Sequence, residues 1–528
     1  MDYEKISAQL QSLIKYLGAK DFPIDELKII EDLRLPKEEI KANLSEGVKL
    51  GLINVNKIVV TCEECGEDLR EIKIVEEVLG KEEKCEYCGE IFTVTEDNIL
   101  RYYSLTYKGI DAYDKLSKRG HPFIPKFKLF PYFIDKWYDR FGGEVLKNYF
   151  IIILLHFLRD LIPFVEALER FGAKADKCYL ICKPYPYAYR DQISLYLKNK
   201  GCNVKIAESF DEMPILISAV LEEIRQRIRK EKLIIIEDGG YVVPILHTKY
   251  KKLLPFCKGA VEQTTKGIKN DKKIKRKKFA ILNVAECDFK KEYEPKFIAS
   301  AVVQNIRNML PDRNFAGQYA LVIGGGGTVG FQVSIQLSDS LRMKVYVAER
   351  NPRALLRAQD EPKIARAFKS QDMKNYIGEC MLIIGATGTQ SIGKAEISLL
   401  KHGAILVSVS SDRDEIDVKE LERLAGDKKN IEEVFSRDGQ KIGTQFTLER
   451  LDSRQILLLA DGYPVNFYYS ESVPNESFDP ILTILFLSVL KLAIEPKIRP
   501  GIHLKIVNKL VSDEKIVEET LRFYRGIV

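Results

Sequence analysis

Apolar residues recur at helical spacing through the first fifty positions. Leu10, Leu13, Ile14 and Leu17 form one set, Leu27, Ile29, Ile30 and Leu33 a second, and Ile40, Leu44, Val48 and Leu50 a third. That spacing predicts three short helices, the last with Pro36 at its first turn. Gly51 stops it, and the β-branched stretch through Val60 predicts a strand. Past residue 150 the pattern changes to short, wholly apolar runs at 233–236, 280–282, 320–323, 345–347, 381–384 and 404–407, separated by helix-length stretches. Strands that are apolar on both sides and alternate with helices predict parallel sheets covered on both faces, an α/β fold of Rossmann type. The apolar runs around 150–155 and at 480–490 are cut off by Arg159 and Lys491, short of the ~20 residues a bilayer span needs. They are expected to be buried elements rather than membrane spans.

Helix, helix, helix, strand is the order of a winged helix, expected over 1–60. A zinc ribbon is expected over 61–118. There Cys62-x-x-Cys65 is followed by Cys85-x-x-Cys88-Gly89, the spacing that brings two thiolates to each side of one tetrahedral Zn2+. Four filled positions make such a zinc structural, because no open position remains for catalysis. The other reading is four buried free thiols. An aromatic, proline-rich stretch (Pro122, Phe123, Pro125, Phe127, Phe130, Pro131, Phe133, Trp137) predicts a linker clamped onto a neighbour over 119–149.

With 528 residues the chain exceeds a single core, and 45% hydrophobic with 30% charged residues excludes a disordered polymer. The net charge of +6 divides unevenly: residues 1–120 carry 18 Lys/Arg against 25 Asp/Glu, so the front end is acidic and the rest basic. Nucleic-acid affinity comes mainly from cations that neutralise phosphates, so an acidic front end favours a protein partner over DNA. The helix expected to face DNA, 37–50, carries three lysines and three glutamates. The first ten residues lack the basic-then-apolar order of a secretory leader, and the cysteine usage suits a reducing compartment, so a cytoplasmic location is expected.

After the run at 320–323 comes Gly324-Gly325-Gly326-Gly327-Thr328-Val329-Gly330, then a helical stretch, with Glu349 closing the next strand. Gly325, Gly327 and Gly330 fit Gly-x-Gly-x-x-Gly between strand and helix, and Glu349 stands where a carboxylate would take the ribose hydroxyls. Pyrophosphate would rest on the helix N-terminus. The carboxylate favours NAD over NADP, and Arg350 beside it weakens that preference.

From about 150 to 515 the chain resembles the S-adenosyl-L-homocysteine hydrolases. The resemblance rests on LLHFLRDLIPFVEALERFGAKA (154–175), IIIEDGGYVVPILHTKYKKLLP (234–255), GAVEQTTKG (259–267), the glycine loop, HGAILVSVSSDRDEIDV (402–418) and LADGYPVNF (459–467), in matching order. It implies a substrate part over 150–300 and 420–490, an NAD-binding Rossmann domain over 301–419 and a helical segment over 491–528. It also implies bound NAD that oxidises a ribose hydroxyl so that homocysteine can leave. Carried over residue by residue, it makes His156, Asp238 and Lys290 candidate acid/base residues, and Thr264 and Thr265 contacts to NAD. Asp160 and Gln263 become substrate contacts; His156 has a packed core histidine as its bland alternative.

The departures fall on the site. Gln263 replaces a glutamate that holds ribose hydroxyls, Glu294 and Pro295 replace an Asp and an Asn, and Ser411 replaces a histidine. Leu158 and Asp160 replace adenine contacts, and Tyr468-Tyr469-Ser470-Glu471-Ser472 replaces a His-containing loop. Replacing Glu with Gln and His with Ser removes two titrating groups. The first expectation is therefore an NAD-binding protein with a degenerate site that holds an adenosine-like molecule as a signal, its front end docking a protein partner. An active hydrolase on this or a related nucleoside is the second, and a DNA-binding regulator the third. A homo-oligomer is left open.

Overall fold

The computed structural model describes all residues except 1–6, 19–22, 34, 107–108, 110–111, 114–124, 186, 188, 411, 437–438, 469–472 and 527–528. The chain divides into two compact units: 1–126 with 157–163 and 188–204, and 127–156 with 164–187 and 205–528.

In the first unit the helices Ala8–Gly18, Glu26–Leu33 and Lys37–Lys49 lie where the spacing predicts them. Leu10, Leu13, Ile14, Leu17, Ile29, Ile40 and Leu44 turn inward to make their core. A four-stranded sheet runs in the order Ile24–Asp25, Ile99–Leu105, Ile53–Thr61, Asp68–Ile72, with every recorded pairing antiparallel. Ile53–Thr61 pairs along its length with Ile99–Leu105, so the sheet runs across the expected division at residue 60. The segment between these strands carries the four cysteines and a hairpin of Glu82–Lys84 with Ile91–Thr93.

The second unit holds two sheets. Six of the seven strands of one lie wholly within it, in the order Gly501–His503, Ala280–Asn283, Cys257–Glu262, Lys232–Glu237, Tyr149–Leu154, Cys178–Cys182, all parallel. The strand Gly501–His503 begins what the sequence suggests is a purely helical tail; the helices Leu504–Asp513 and Ile516–Arg525 follow it.

The other sheet has eight strands. Its parallel part runs Arg366–Lys369, Lys344–Glu349, Tyr319–Ile323, Leu382–Gly385, Ala404–Ser408, Arg454–Leu459. Lys441–Leu448 and Ile431–Phe435 extend it antiparallel. Alternate residues feed opposite cores: Val322, Ile384 and Val407 one, Leu321, Ile383 and Leu406 the other. The sequence suggests that 420–490 belongs to the substrate part, whereas the strand pairing gives 431–459 to this eight-stranded sheet. The physical reason is that Ile456 and Leu458 are fully buried in one core with Leu406, and their strand pairs with Ala404–Ser408 on one edge and Lys441–Leu448 on the other.

Within the aromatic stretch, Leu129–Phe141 is a helix packed onto its neighbours. Phe130 meets Phe486 edge-on at 5.3 Å, and Asp479 accepts hydrogen bonds from the first amides, Leu129 N–H at 2.7 Å and Phe130 N–H at 2.8 Å. Pro122 and Phe123 lie outside the described residues. The helix Asn475–Ile494 is long and apolar enough to cross a membrane, with mean hydropathy 1.8 over its most apolar window. That window is 72% buried within the protein, so the helix is a core element here.

Candidate functional site

Parallel strands place their C-terminal ends on one edge, and polar residues just beyond those ends face one another. Glu237 stands in register with Leu154 on one side and Glu262 on the other. The residues after these positions, His156, Asp238 and Gln263, therefore emerge together. Lys183 follows the strand Cys178–Cys182, and Asp412 lies just past Ala404–Ser408 of the other sheet.

Asp238 is the hub. Lys183 donates to its Oδ1, Gln263 Nε2 donates to its Oδ2 at 2.9 Å, and His156 Nε2 lies 3.4 Å from Oδ2. Lys183 is fully buried and also lies 3.8 Å from Asp412. Asp412 accepts in turn from Tyr185 at 2.8 Å and from Tyr241 and Lys266. His156 Nδ1 meets the Tyr187 hydroxyl at 2.6 Å, and its ring stacks on Phe467 with centroids 4.0 Å apart.

Burial alone would raise the Asp238 pKa, but Lys183 and His156 outweigh it and hold the carboxyl below its usual range. Burial pulls His156 down despite Asp238, which keeps the imidazole neutral at pH 7. Lys183 is also pulled down by burial, yet Asp238 and Asp412 together lift it above its ordinary value.

The sequence-predicted residues divide. His156, Asp238 and Gln263 converge. Lys290, on the short helix Asp288–Tyr293, donates to the Gln263 carbonyl at 2.9 Å and lies 3.5 Å from Glu294. Burial raises the pKa of Glu294. Thr264 caps the helix Thr265–Lys272: its hydroxyl accepts from Gly267 N–H at 3.1 Å and donates to Glu262 at 2.7 Å. Thr265 is exposed. Asp160 is buried in the first unit, and Leu158 belongs to that unit too. Ser411 and 469–472 lie outside the described residues; Tyr468 is buried.

Sequence reasoning missed Lys183, Tyr185, Tyr187, Asp412, Tyr241 and Lys266. One signal was available: Lys183 directly follows the apolar run CYLIC, where a charge must either leave the core or find a partner.

The glycine loop lies between the strand Tyr319–Ile323 and the helix Thr328–Leu341. Gly324 has φ +80°, and a Cβ on Gly330 would stand 2.5 Å from the Gly324 carbonyl, so the turn and the helix approach both need glycine. A Cβ on Gly325 would meet Val347 at 2.8 Å. Gly327 is exposed, and its Cβ would meet only the Gly324 carbonyl, at 3.2 Å, which leaves open backbone where a pyrophosphate would rest. Glu349 accepts from Gly326 N–H at 3.1 Å and from the amides of Arg350 and Asn351 at 2.7 and 2.9 Å. Arg350 is exposed, and it is Arg357 that donates to the Gly326 and Gly327 carbonyls, its guanidinium 4.3 Å over Phe331. The exposed backbone at Gly327 and the glycine turn fit a dinucleotide.

In the first unit the sulfurs of Cys62, Cys65, Cys85 and Cys88 all lie within 4.8 Å of one another. Cys62 and Cys88 are 3.6 Å apart, as are Cys65 and Cys85. A tetrahedron with Zn–S of about 2.3 Å has edges of about 3.8 Å, so the group fits zinc. Amides of Cys88 and Tyr87 each reach Cys85 Sγ at 3.4 Å and draw its pKa down to about 6, while the neighbouring thiols hold Cys65 and Cys88 up.

Residues 298–472 match the family described as S-adenosyl-L-homocysteine hydrolase, NAD binding domain. The adenosylhomocysteinase of Thermotoga maritima is 26% identical over 369 residues, 68% of this chain and 84% of that protein. The S-inosyl-L-homocysteine hydrolase of Methanopyrus kandleri is 26% identical over 388 residues, 72% and 85% of the two chains. That of Methanocaldococcus jannaschii is 28% identical over 353 residues, 65% and 77%.

Proposed function

The chain is a divergent member of the adenosylhomocysteinase family, and from that premise we propose that it binds NAD and an adenosine-like nucleoside in a site that has lost most of its hydrolytic turnover. NAD, when bound, would accept hydride from a ribose carbon; Gly325, Gly327 and Gly330 would hold its pyrophosphate and Glu349 its ribose. One observation carries the loss of turnover: every oxygen of Asp238 is already engaged, by Lys183 on one side and by Gln263 and His156 on the other. A glutamate at position 263 could accept a ribose proton, but the amide of Gln263 donates to Asp238 instead. His156 is neutral and bound to Tyr187 through one nitrogen, so it can orient a hydroxyl without a ready proton to give. Lys183 and Asp412 hold charge within the site rather than moving it.

The front end is read as a zinc-bearing docking part for a protein partner. Zinc would be held by Cys62, Cys65, Cys85 and Cys88, and the acidic balance of this region disfavours nucleic acid. A second reading has separate support. Two relatives carry the name S-inosyl-L-homocysteine hydrolase, so a base other than adenine belongs to the family's range.

One experiment tests both readings. Ligands released from purified protein by denaturation are weighed, and homocysteine release is followed with S-adenosyl- and S-inosyl-homocysteine. About one equivalent each of NAD and zinc is expected, with turnover at least ~100-fold below one per second, since losing one acid/base group costs that much. Turnover near one per second on either substrate, within the ordinary enzyme range, overturns the degenerate reading.

A further inference from the structure

One buried group of side chains takes no part in the site above. Glu237, Glu262 and Asp271 each bring a carboxylate oxygen within 4.8 Å of the other two, and all three side chains are fully buried. Glu237 and Glu262 end neighbouring strands in register, and Asp271 comes from the last turn of the helix Thr265–Lys272.

Their hydrogen bonds are unequal. Glu262 Oε1 accepts from Thr264 N–H and Oγ1, both at 2.7 Å, and from Gly239 N–H at 3.2 Å, while its Oε2 accepts only Gly240 N–H at 2.9 Å. Glu237 Oε2 accepts from Tyr241 and Val242 N–H at 2.9 and 2.8 Å, and its Oε1 only a long contact from Val243 N–H at 3.3 Å. Each glutamate thus keeps one oxygen with spare acceptor capacity. Asp271 is starker, since both of its oxygens are buried and neither meets a donor among the described residues. A carboxylate buried without a partner costs several kcal/mol, and a natural core rarely tolerates one.

The backbone is built closely around this group. A Cβ on Gly267 would stand 2.0 Å from the Glu262 carboxyl, and Gly240, with φ +65°, passes so near that its own Cβ would lie 2.7 Å from Gly267. Only bare backbone at both positions lets Glu262 point where it does.

We propose that Glu237, Glu262 and Asp271 bind one divalent, oxygen-seeking cation of Ca2+ or Mn2+ type. Three carboxylate oxygens are the hard ligand set that such ions take, and two oxygens sharing a Ca2+ at 2.3–2.6 Å lie at most about 5 Å apart. The cation satisfies Asp271 and neutralises most of the group's charge. It also clamps the strand ends that precede Asp238 and Gln263 to the helix after them, and so fixes the nucleoside side of the site. The rival is a proton shared among the acids. Burial pushes Glu237 up to about 7, and burial together with repulsion from Glu237 pushes Asp271 up to about 8, so without a cation at least one would be protonated near neutrality.

The test uses full-length protein desalted into buffer free of divalent cations, dialysed against 1 mM MnCl2 or CaCl2 (about 1 mM lies in the range of the weaker protein Ca2+ sites) and analysed for bound metal. The expected result is one equivalent of Mn2+ or Ca2+ beyond the zinc, at least tenfold weaker binding in Asp271→Asn, and unchanged zinc content in both. Should Asp271→Asn not fold, Asp271→Ala gives up no hydrogen bond and serves in its place. A melting temperature raised several degrees by the cation in wild type but not in the variant supports the proposal further. Less than a tenth of an equivalent of either ion in wild type, or equal binding in a folded variant, overturns it in favour of the shared proton. Neither outcome depends on whether the protein turns over a nucleoside.

Discussion

The glycine loop and the cluster around Asp238 sit at the strand ends of two sheets in one unit, yet they are built from different material. The loop works through backbone: Gly324, Gly327 and Gly330 offer amides and space, and side chains enter mainly through Glu349 and Arg357. The Asp238 cluster works through side chains whose charges set one another, and there the Gln263 amide donates to Asp238, a bond that a carboxylate could not make. A site made of backbone outlasts drift in sequence. A site made of coupled charges depends on every member of the set.

Four measurements break or sharpen that contrast. The largest effect is expected from Lys183→Met. It removes the buried cation shared by Asp238 and Asp412, and breaking one half of a buried pair typically costs ~3–5 kcal/mol. Urea unfolding of the second unit should register that loss; a change below ~1 kcal/mol would mean that the cluster is not held by charge. Next is Gly327→Asp. The space above Gly327 lets the variant fold, but its charge faces the pyrophosphate, so NAD affinity should fall ~100-fold or more in calorimetry while the NAD-free melting temperature stays put. Unchanged affinity would remove the loop from the cofactor site.

Arg357→Ala should weaken NAD about threefold to tenfold, because it frees the loop carbonyls without touching the amides that face the cofactor. An effect as large as that of Gly327→Asp would show the loop to be as dependent on side chains as the Asp238 cluster. The smallest effect belongs to His156. Its folded pKa lies below the ~6.5 of the unfolded chain, so its contribution is complete above pH 6.5 and is lost as pH falls through the lower folded value. Stability measured between pH 7.5 and 5 should fall less steeply in His156→Asn than in wild type; identical slopes would place the imidazole in water.

Much of the α/β body was legible in the sequence. The apolar runs at 233–236, 280–282, 320–323, 345–347, 381–384 and 404–407 all fall on strands, because a strand covered on both faces must be apolar throughout. The strands Ile431–Phe435 and Lys441–Leu448 were harder. They are antiparallel toward the sheet edge, where partly exposed residues interrupt the pattern. The aromatic stretch read as a linker because proline and phenylalanine mark neither helix nor strand by themselves, and only packing against Phe486 and Asp479 decides for a helix.

The sequence by itself determined the features that local chemistry fixes. The two Cys-x-x-Cys knuckles, the strand–glycine loop–helix and the apolar strands each depend on residues close together in the chain. Only the tertiary structure decided that Lys183 stands between Asp238 and Asp412, residues 55 and 227 or more positions from Lys183 or its neighbour Tyr185. It also decided that Gln263 donates to Asp238 and that Asp271 meets Glu237 and Glu262 without a donor. The reason is electrostatic: a buried charge takes its character from whatever the fold brings within a few ångströms, and that neighbourhood is assembled by strand register and helix packing, not by spacing along the chain.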